Sequence, residues 1–247
     1  IKHPMTATTS KSPPTGPAFW KGVKDATPFI FVVGPFALLF GVLATESGLN
    51  VFETLTFSLV VIAGAAQFTA LQLMTENAPT VVVLASALAV NLRMAMYSAT
   101  LTPYLGAAPI WQRAMISYVI LDQSFACSIV EFENKPDLTL SQRIAYFMGT
   151  VAPVVPVWYV LTVVGALIGT QIPESWALDF ALPITFLALV APMLRTPAHV
   201  IAALVSIVVS LLAAGVPYSL GLIIAGFCAM IAGAQTEVVL ARRKAAR

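Results

Sequence analysis

The chain alternates long apolar runs with short polar connections. Eight runs are long enough to cross about 30 Å of hydrocarbon as helices, which takes about 20 residues. The connections carry turn or polar residues, as in the segment from Glu133 to Asp137. This pattern predicts an all-α polytopic membrane protein with about eight transmembrane helices. The predicted spans lie at about 26–44, 54–74, 79–101, 112–131, 143–169, 177–194, 198–215 and 217–235.

The two ends of the chain differ from the apolar middle. Residues 1–18 are rich in Lys, Ser, Thr and Pro and contain no apolar run, so we expect a disordered cytoplasmic tail there. Residues 19–240 form the predicted transmembrane permease domain. Residues 241–247 hold Arg242, Arg243 and Lys244 and are predicted to be a basic cytoplasmic tail.

The distribution of Lys and Arg predicts the orientation of the spans. With eight spans both termini lie on one side, and that side collects eleven of the thirteen basic residues. The other side has only Arg113, and Arg93 lies within a span. Because cytoplasmic loops carry the excess of Lys and Arg, both termini are predicted to be in the cytoplasm.

Composition narrows the classes of function. Apolar residues make up 59% of the chain and charged residues 10%, where a soluble domain carries about 25% charged residues. Soluble enzymes and nucleic-acid binders are therefore excluded. The sequence has no zinc-protease, serine-hydrolase or phosphate-loop motif, and its two Cys and two His are isolated. We expect no enzyme activity, no metal site, no cofactor and no nucleic-acid partner.

Polar residues inside two spans are candidates for function. The third span holds Asn91, Arg93 and Tyr97, and the fourth holds Asp122. A charge at mid-span costs about 2.5–3.5 kcal/mol on insertion scales, so it is usually paired or lines a cavity. Arg93 and Asp122 lie at similar predicted depths in consecutive spans. They are either a substrate or proton site, or a structural salt bridge, and the residues alone leave both readings open.

Other features concern helix packing and helix breaks. Gln67 follows four small residues, 63–66, which form either a packing seam or the wall of a cavity. Prolines inside apolar runs suggest broken helices of the kind that transporters use. A faint likeness between the regions after Gly41 and Gly165, about half the chain apart, suggests a weak parallel internal repeat. The prolines are Pro35, Pro153, Pro156, Pro183 and Pro192.

Three motifs resemble the AzlC family. They are Gly34-Pro35-Phe36 with Gly41, the segment 63–68, and Asn91-Leu92-Arg93 with Tyr97. The resemblance implies a permease subunit that exports branched-chain amino acids such as valine, leucine or isoleucine. It also implies a second, small membrane subunit of the AzlD type. One departure is Gln123, where the family pattern leads us to expect an acidic residue after Asp122.

The resemblance and the polar residues together suggest a substrate site. Arg93 would bind the carboxylate of an amino acid, while Asp122 and Asn91 would accept hydrogen bonds from its ammonium group. Gln67 and Tyr97 would fix its orientation. Because the chain has no nucleotide-binding motif, we expect a gradient-driven, multi-pass transporter of the cytoplasmic (inner) membrane. The alternative is a non-transporting membrane scaffold or assembly subunit in which Arg93 and Asp122 form a structural salt bridge.

Overall fold

The computed structural model describes residues 14–170, 194, 196–216 and 220–245. Its ordered elements in these ranges are helices, with no β-strand among them, which confirms the all-α prediction. The helices are α1 (Gly16–Ala26), α2 (Ile30–Glu46), α3 (Val51–Val60), α4 (Gly64–Thr75), α5 (Thr80–Leu105), α6 (Ile110–Tyr118), α7 (Asp122–Asn134), α8 (Leu140–Gly169), α9 (Pro197–Leu212) and α10 (Leu220–Ala245).

Four helical stretches in the described part of the chain are long and apolar enough to cross a membrane. The first joins α1 to α2 through the 3₁₀ turn Thr27–Phe29. The predicted span 177–194 lies outside the described residues, except for residue 194. The count of eight spans therefore stays a prediction. The four stretches are Gly16–Glu46, Thr80–Leu105, Leu140–Gly169 and Ile224–Arg243.

Two predicted spans are not single helices, so the prediction of continuous helices there is wrong. Span 54–74 is divided into α3 and α4 by the non-helical residues 61–63, and span 112–131 into α6 and α7 by residues 119–121. Each break contains two consecutive β-branched residues, Val61 and Ile62 in the first and Val119 and Ile120 in the second. Such residues favour a helix less than unbranched ones do. Hydropathy could not reveal either break, because the residues at the breaks are as apolar as the flanking helices.

The three prolines in the described spans do not break their helices, so the expectation of helix breaks at these prolines is wrong. Pro35 lies inside α2, and Pro153 and Pro156 lie inside α8, each within an unbroken helix. Both breaks occur in segments without proline. Pro183 and Pro192 lie outside the described residues.

The described residues fall into two compact units. The first unit holds the described residues up to Gly34 together with Met94–Trp158, and the second holds Pro35–Arg93 together with the described residues from Tyr159 onward. Each unit contains one of the two broken helices. The core of the first unit is built from large side chains of α5, α6, α7 and α8 and of the break between α6 and α7. Its buried members are Leu101, Leu105, Ile116, Ile120, Phe132, Tyr146, Phe147 and Val151.

Glycines allow close backbone contact in each unit. In the first, a Cβ on Gly149 of α8 would overlap the carbonyl oxygen of Phe19 in α1. In the second, a Cβ on Gly165 of α8 would overlap the carbonyl oxygen of Leu38 in α2, and Gly41 lies against the same part of α8. Small residues permit this approach between membrane helices. Gly41 and Gly165, which suggested an internal repeat, are thus packing partners, and the repeat itself stays a prediction.

Apolar side chains point outward from the long helices. Leu84, Leu88 and Leu92, spaced at i, i+4 and i+8, form an exposed stripe on α5. Such a surface is costly in water and natural in contact with lipid hydrocarbon. The exposed stripe therefore fits an α5 that lies in a membrane.

The ends of the described helices differ by a few residues from the predicted domain boundaries. Helix α1 begins at Gly16, within the predicted tail 1–18, and α10 continues to Ala245, within the predicted tail 241–247. Residues 1–13 and 246–247 lie outside the described residues.

Candidate functional site

The break between α6 and α7 in the first unit is closed by a serine. Leu121 is extended, with φ −131° and ψ 161°, and its N–H donates to Ser124 Oγ at 2.9 Å. The Ser124 hydroxyl lies 3.0 Å from the carbonyl oxygen of Leu121 and donates to it. Ser124 is fully buried. One side chain thus satisfies backbone groups that a break exposes, as non-helical backbone at membrane depth requires.

Asp122 is the first residue of α7, immediately after this break. The hydroxyl of Tyr97, from α5, donates to Asp122 Oδ1 at 2.8 Å. A carboxylate is favoured at this position because the N-terminus of a helix carries a partial positive charge. Two of the five predicted site residues, Tyr97 and Asp122, are therefore brought together.

An aromatic pair borders the Tyr97–Asp122 contact. The rings of Tyr97 and Phe125 are stacked, with centroids 4.2 Å apart and an angle of 11° between the planes. Phe125 lies one turn after Asp122 on α7. Stacking limits the freedom of the Tyr97 ring, so its hydroxyl is held in position for the carboxylate.

A cavity of about 270 Å³ lies beside the same break. Its lining includes Ser98, which follows Tyr97 on α5, and Ile120, which is one of the break residues. Leu101 and Ile116 make part of its wall apolar, and Arg113 contributes a cation. The cavity combines aliphatic surface, hydroxyl groups and one positive charge.

The break between α3 and α4 in the second unit is closed differently. Gln67 is fully buried, and its Nε2 donates to the carbonyl oxygen of Val61 and to Ser58 Oγ, the latter at 3.3 Å. Val61 is a break residue and Ser58 belongs to α3, so the Gln67 amide joins the two halves of one broken helix. Its Oε1 is buried with no hydrogen-bond partner among the described residues. Of the two readings for Gln67, this geometry favours a packing role.

The other two predicted site residues, Asn91 and Arg93, are half-buried on α5 and belong to the second unit. The Oδ1 atom of Asn91 is buried and has no hydrogen-bond partner among the described residues. Because Arg93 belongs to the second unit and Asp122 to the first, the pairing of these two residues stays a prediction.

Sequence reasoning missed a charged network in the first unit. Lys21 of α1 pairs with Asp25 on the same helix and with Glu131 of α7, and Lys135 also pairs with Glu131. Two i, i+4 charge pairs, Lys21 with Asp25 and Glu131 with Lys135, were the signal available in the sequence. Only the lysines of these pairs were used, as part of the Lys and Arg distribution that predicts the orientation of the spans.

The family model described as AzlC protein matches residues 28–172, more than half of the chain. The chain belongs to the AzlC family. The matched region includes both broken helices and all five predicted site residues. Recognition of the family from the motifs at 34–36, 63–68 and 91–93 is thereby confirmed.

Two relatives support this assignment. One is "Inner membrane protein YgaZ" of Escherichia coli strain K12, 25% identical over 195 residues, which cover 74% of this chain and 76% of the relative. The other is an "Uncharacterized membrane protein" of Archaeoglobus fulgidus, 27% identical over 181 residues, covering 72% and 76%. No solved structure matches the chain.

Family, relatives and structure agree on the broad class of protein. Both relatives are described as membrane proteins, and the chain has four apolar helices of membrane-spanning length in its described part. Membership of the AzlC family supports a membrane protein with a transport role.

Proposed function

We propose that this chain is the large subunit of a secondary transporter that exports branched-chain amino acids across the cytoplasmic (inner) membrane. It works with a small AzlD-type membrane subunit, crosses the lipid bilayer several times, has no enzyme activity and uses an ion or proton gradient. The motif resemblance and the AzlC family match support this proposal.

The observation that carries the proposal is the Tyr97–Asp122 pair at the start of a half-helix. Transporters often bind substrates at broken helices near the middle of the membrane. The ammonium group of an amino acid needs anionic or polar acceptors, and the Asp122 carboxylate, positioned by the Tyr97 hydroxyl, is such an acceptor. The aliphatic wall of the adjacent cavity suits a branched side chain.

The carboxylate of an amino-acid substrate also needs a cationic partner. Arg93 is the predicted cation, and Asn91 has a buried carbonyl oxygen that is available as a second acceptor for ammonium. Gln67 is assigned to stabilising the second broken helix rather than to orienting the substrate, which is the role predicted for it from the sequence.

A scaffold function is the second candidate. A Tyr–Asp hydrogen bond between two helices is also expected if the pair serves only to hold the helices together. In that case Asp122 would serve only to hold α7 against α5 and to pair with Arg93. The double variant Arg93→Asp/Asp122→Arg separates the two. A structural ion pair recovers function when its charges are exchanged, whereas a substrate site does not.

The test is efflux of preloaded leucine, isoleucine and valine from cells that lack their own exporters. The chain is expressed alone and with the small subunit, and we expect efflux only with both and its collapse on addition of an uncoupler. Asp122→Asn should reduce efflux about 10- to 150-fold, the loss expected for a hydrogen bond to a charged group worth about 1.5–3 kcal/mol.

The matched control is Asp137→Asn, the same substitution on an exposed loop residue. It should leave efflux unchanged, with both variants present in the membrane at the wild-type level. No efflux of any of the three amino acids by the correctly inserted pair of subunits would refute the proposed substrate class.

A further inference from the structure

Helix α7 of the first unit lies alongside α5 and runs in the same direction. Tyr97 of α5 stacks on Phe125 of α7. Seven residues further along both helices, the rings of Tyr104 and Phe132 lie with their centroids 5.5 Å apart. Because the two contacts advance together along both helices, α5 and α7 are parallel. Helix α6, which connects them in the chain, therefore runs in the opposite direction.

The lengths of the helices agree with this path. From Tyr97 to Leu105, the end of α5, the helix rises about 12 Å, and the nine residues of α6 rise about 14 Å. Helix α6 is thus long enough to return from the end of α5 to the level of Tyr97, which bonds to Asp122 at the start of α7. The thirteen residues of α7 rise about 20 Å. Neither helix alone crosses a hydrocarbon core of about 30 Å.

Both ends of the α6–α7 segment lie at the same end of the first unit. The guanidinium of Arg143, near the start of α8, donates to the carbonyl oxygens of Pro136, at 2.7 Å, and Tyr104, at 3.5 Å. Pro136 follows α7, and Tyr104 lies one residue before the end of α5. The segment is therefore a helical hairpin that leaves α5 and reaches α8 at one end, with the break at residues 119–121 as its tip.

The α3–α4 segment of the second unit folds back in the same way. Ser58 of α3 bonds to Gln67 of α4, although nine residues of one straight helix would separate them by about 14 Å. The ring of Phe40 contacts both Phe57 and Phe68. In each pair the two residues are equally far from the centre of the break, as in a hairpin that turns there. Two hairpins in place of two crossings keep the number of crossings even, as termini on one side require.

The positive charges indicate which side of the membrane the α6–α7 hairpin enters from. At the end where it opens, Lys21 and Lys135 pair with Glu131. Arg143 bonds to the loop after α7 at the same end. Because Lys and Arg are in excess on the cytoplasmic side, this end is the cytoplasmic one. A continuous span would leave Arg113 as the one basic residue on the outer side, whereas the hairpin places it with the others.

The cavity of about 270 Å³ extends along this hairpin. Its lining includes Ser98 and Ile120 near the tip, and Gly106, Ile110 and Arg113 near the open end. Arg113 is exposed in the first turn of α6, and its guanidinium has no ion-pair partner among the described residues. A cation is thus available at the cytoplasmic mouth of a largely aliphatic cavity.

We propose that the α6–α7 segment is a re-entrant hairpin open to the cytoplasm, and that its cavity is the entrance through which an exported amino acid reaches Asp122. The inference rests on the proposed function, because an exporter loads its substrate from the cytoplasm. The Arg113 guanidinium binds the carboxylate of the entering amino acid with paired hydrogen bonds. Leu101 and Ile116 of the cavity wall contact its aliphatic side chain. Non-helical backbone at the tip is tolerated at membrane depth where it lines such a cavity.

Cysteine labelling tests the hairpin, with a membrane-impermeant maleimide applied to spheroplasts that express both subunits. Ala107 lies in the loop between α5 and α6, which is cytoplasmic in the hairpin and external in a continuous span. We expect Ala107→Cys to react only after the membrane is permeabilised, as the control Asp137→Cys does. Ser47→Cys, between α2 and α3, should react from outside in either case. Labelling is measured above that of the parent chain, which has Cys127 and Cys228.

Transport kinetics test Arg113 in inside-out vesicles that contain both subunits, because their cytoplasmic face meets the medium. We expect Arg113→Gln to raise the KM for labelled leucine about 2- to 5-fold, the effect expected for an exposed ion pair, and to retain the maximal rate. Arg113→Lys should restore part of the affinity, because it keeps the charge but not the paired geometry. The matched control is Lys24→Gln, which removes an exposed cation of the same unit outside the cavity lining and should leave the KM unchanged.

Two outcomes would overturn the inference. Labelling of Ala107→Cys from outside at the rate of Ser47→Cys would show that α6–α7 crosses the membrane. An unchanged KM in Arg113→Gln would remove Arg113 from the entrance. If Ala107→Cys does not accumulate, Ile110→Cys, at an exposed position just after the same loop, is judged by the same assay. Wild-type vesicles that do not transport leucine would refute the proposed function and with it the role of Arg113, while the labelling would still decide the fold of the hairpin.

Discussion

Both broken helices are interrupted by a short non-helical segment, but different side chains bond to the backbone at the two breaks. Helices α3 and α4 in the second unit, and α6 and α7 in the first, are each separated by three non-helical residues. In the second unit the fully buried Gln67 amide bonds across its own break. In the first unit Ser124 closes the break, and Asp122 begins the next helix with a hydrogen bond from Tyr97.

The difference teaches which break is suited to a ligand. In the first break Ser124 bonds to both the N–H and the carbonyl oxygen of Leu121, whereas the hydrogen bond described for the Asp122 carboxylate comes from the side chain of Tyr97. Gln67 bonds to the carbonyl oxygen of Val61 in the break and to the Ser58 hydroxyl of α3, and removing it would leave these buried polar atoms without their donor. The first break is therefore assigned to substrate binding and the second to stability.

The largest expected effect concerns a feature of both units, the close packing of a glycine against the backbone of a facing helix. Gly149→Val in the first unit and Gly165→Val in the second would each force a side chain into the backbone of the facing helix. Overpacking costs about 1–3 kcal/mol or more, so we expect both variants to lose most of their membrane abundance, measured by quantitative immunoblot. Gly226→Val is the control, because a Cβ there meets no atom within 4 Å. Normal abundance of either packed variant would contradict the close contact in that unit.

The second-largest effect distinguishes the role of Gln67 at one break from the role of Asp122 at the other. Gln67→Leu leaves the Val61 carbonyl without its amide donor, and an unsatisfied buried group costs about 1–3 kcal/mol. We expect a lower thermal unfolding temperature of the purified protein but unchanged selectivity among leucine, isoleucine and valine. Asp122→Asn should show the opposite pattern, with lost transport and near-normal thermal stability. If Gln67→Leu changes selectivity at wild-type stability, the assignment of Gln67 to packing is wrong.

The smallest effect concerns the positioning of Asp122. Tyr97→Phe removes one hydrogen bond to the carboxylate but keeps the ring stacked on Phe125. A bond worth about 0.5–1.5 kcal/mol corresponds to about a 2- to 12-fold rise in the KM for leucine efflux. Tyr104→Phe is the control, because the aromatic contacts described for Tyr104 involve its ring. An unchanged KM in Tyr97→Phe would show that its hydroxyl does not act on the substrate site.

Hydropathy was a good guide to the long helices. The predicted spans 79–101 and 143–169 correspond closely to α5 and α8, because burial in lipid is the property that apolar runs report. It could not find the breaks at residues 61–63 and 119–121, because an apolar residue has the same hydropathy inside and outside a helix. The prolines were misleading, since Pro153 and Pro156 are accommodated within one helix.

The candidate site was predicted only in part. The positions of Asp122 and Tyr97 inside predicted spans identified two residues that do meet, although the predicted partner of Asp122 was Arg93. The Lys21–Asp25–Glu131 network was missed because its key contact joins residues 110 positions apart. Pairing over that distance depends on how α1 packs against α7, and charges near span ends are usually solvated.

Binding of leucine to the purified two-subunit complex tests the central claim most directly. The affinity for leucine is compared with that for 4-methylpentanoate, which has the same aliphatic chain and carboxylate but no ammonium group. If Asp122 binds the ammonium, the wild type should prefer leucine and Asp122→Asn should lose most of that preference. An Asp122→Asn complex that keeps the wild-type preference would show that Asp122 does not contact the substrate ammonium.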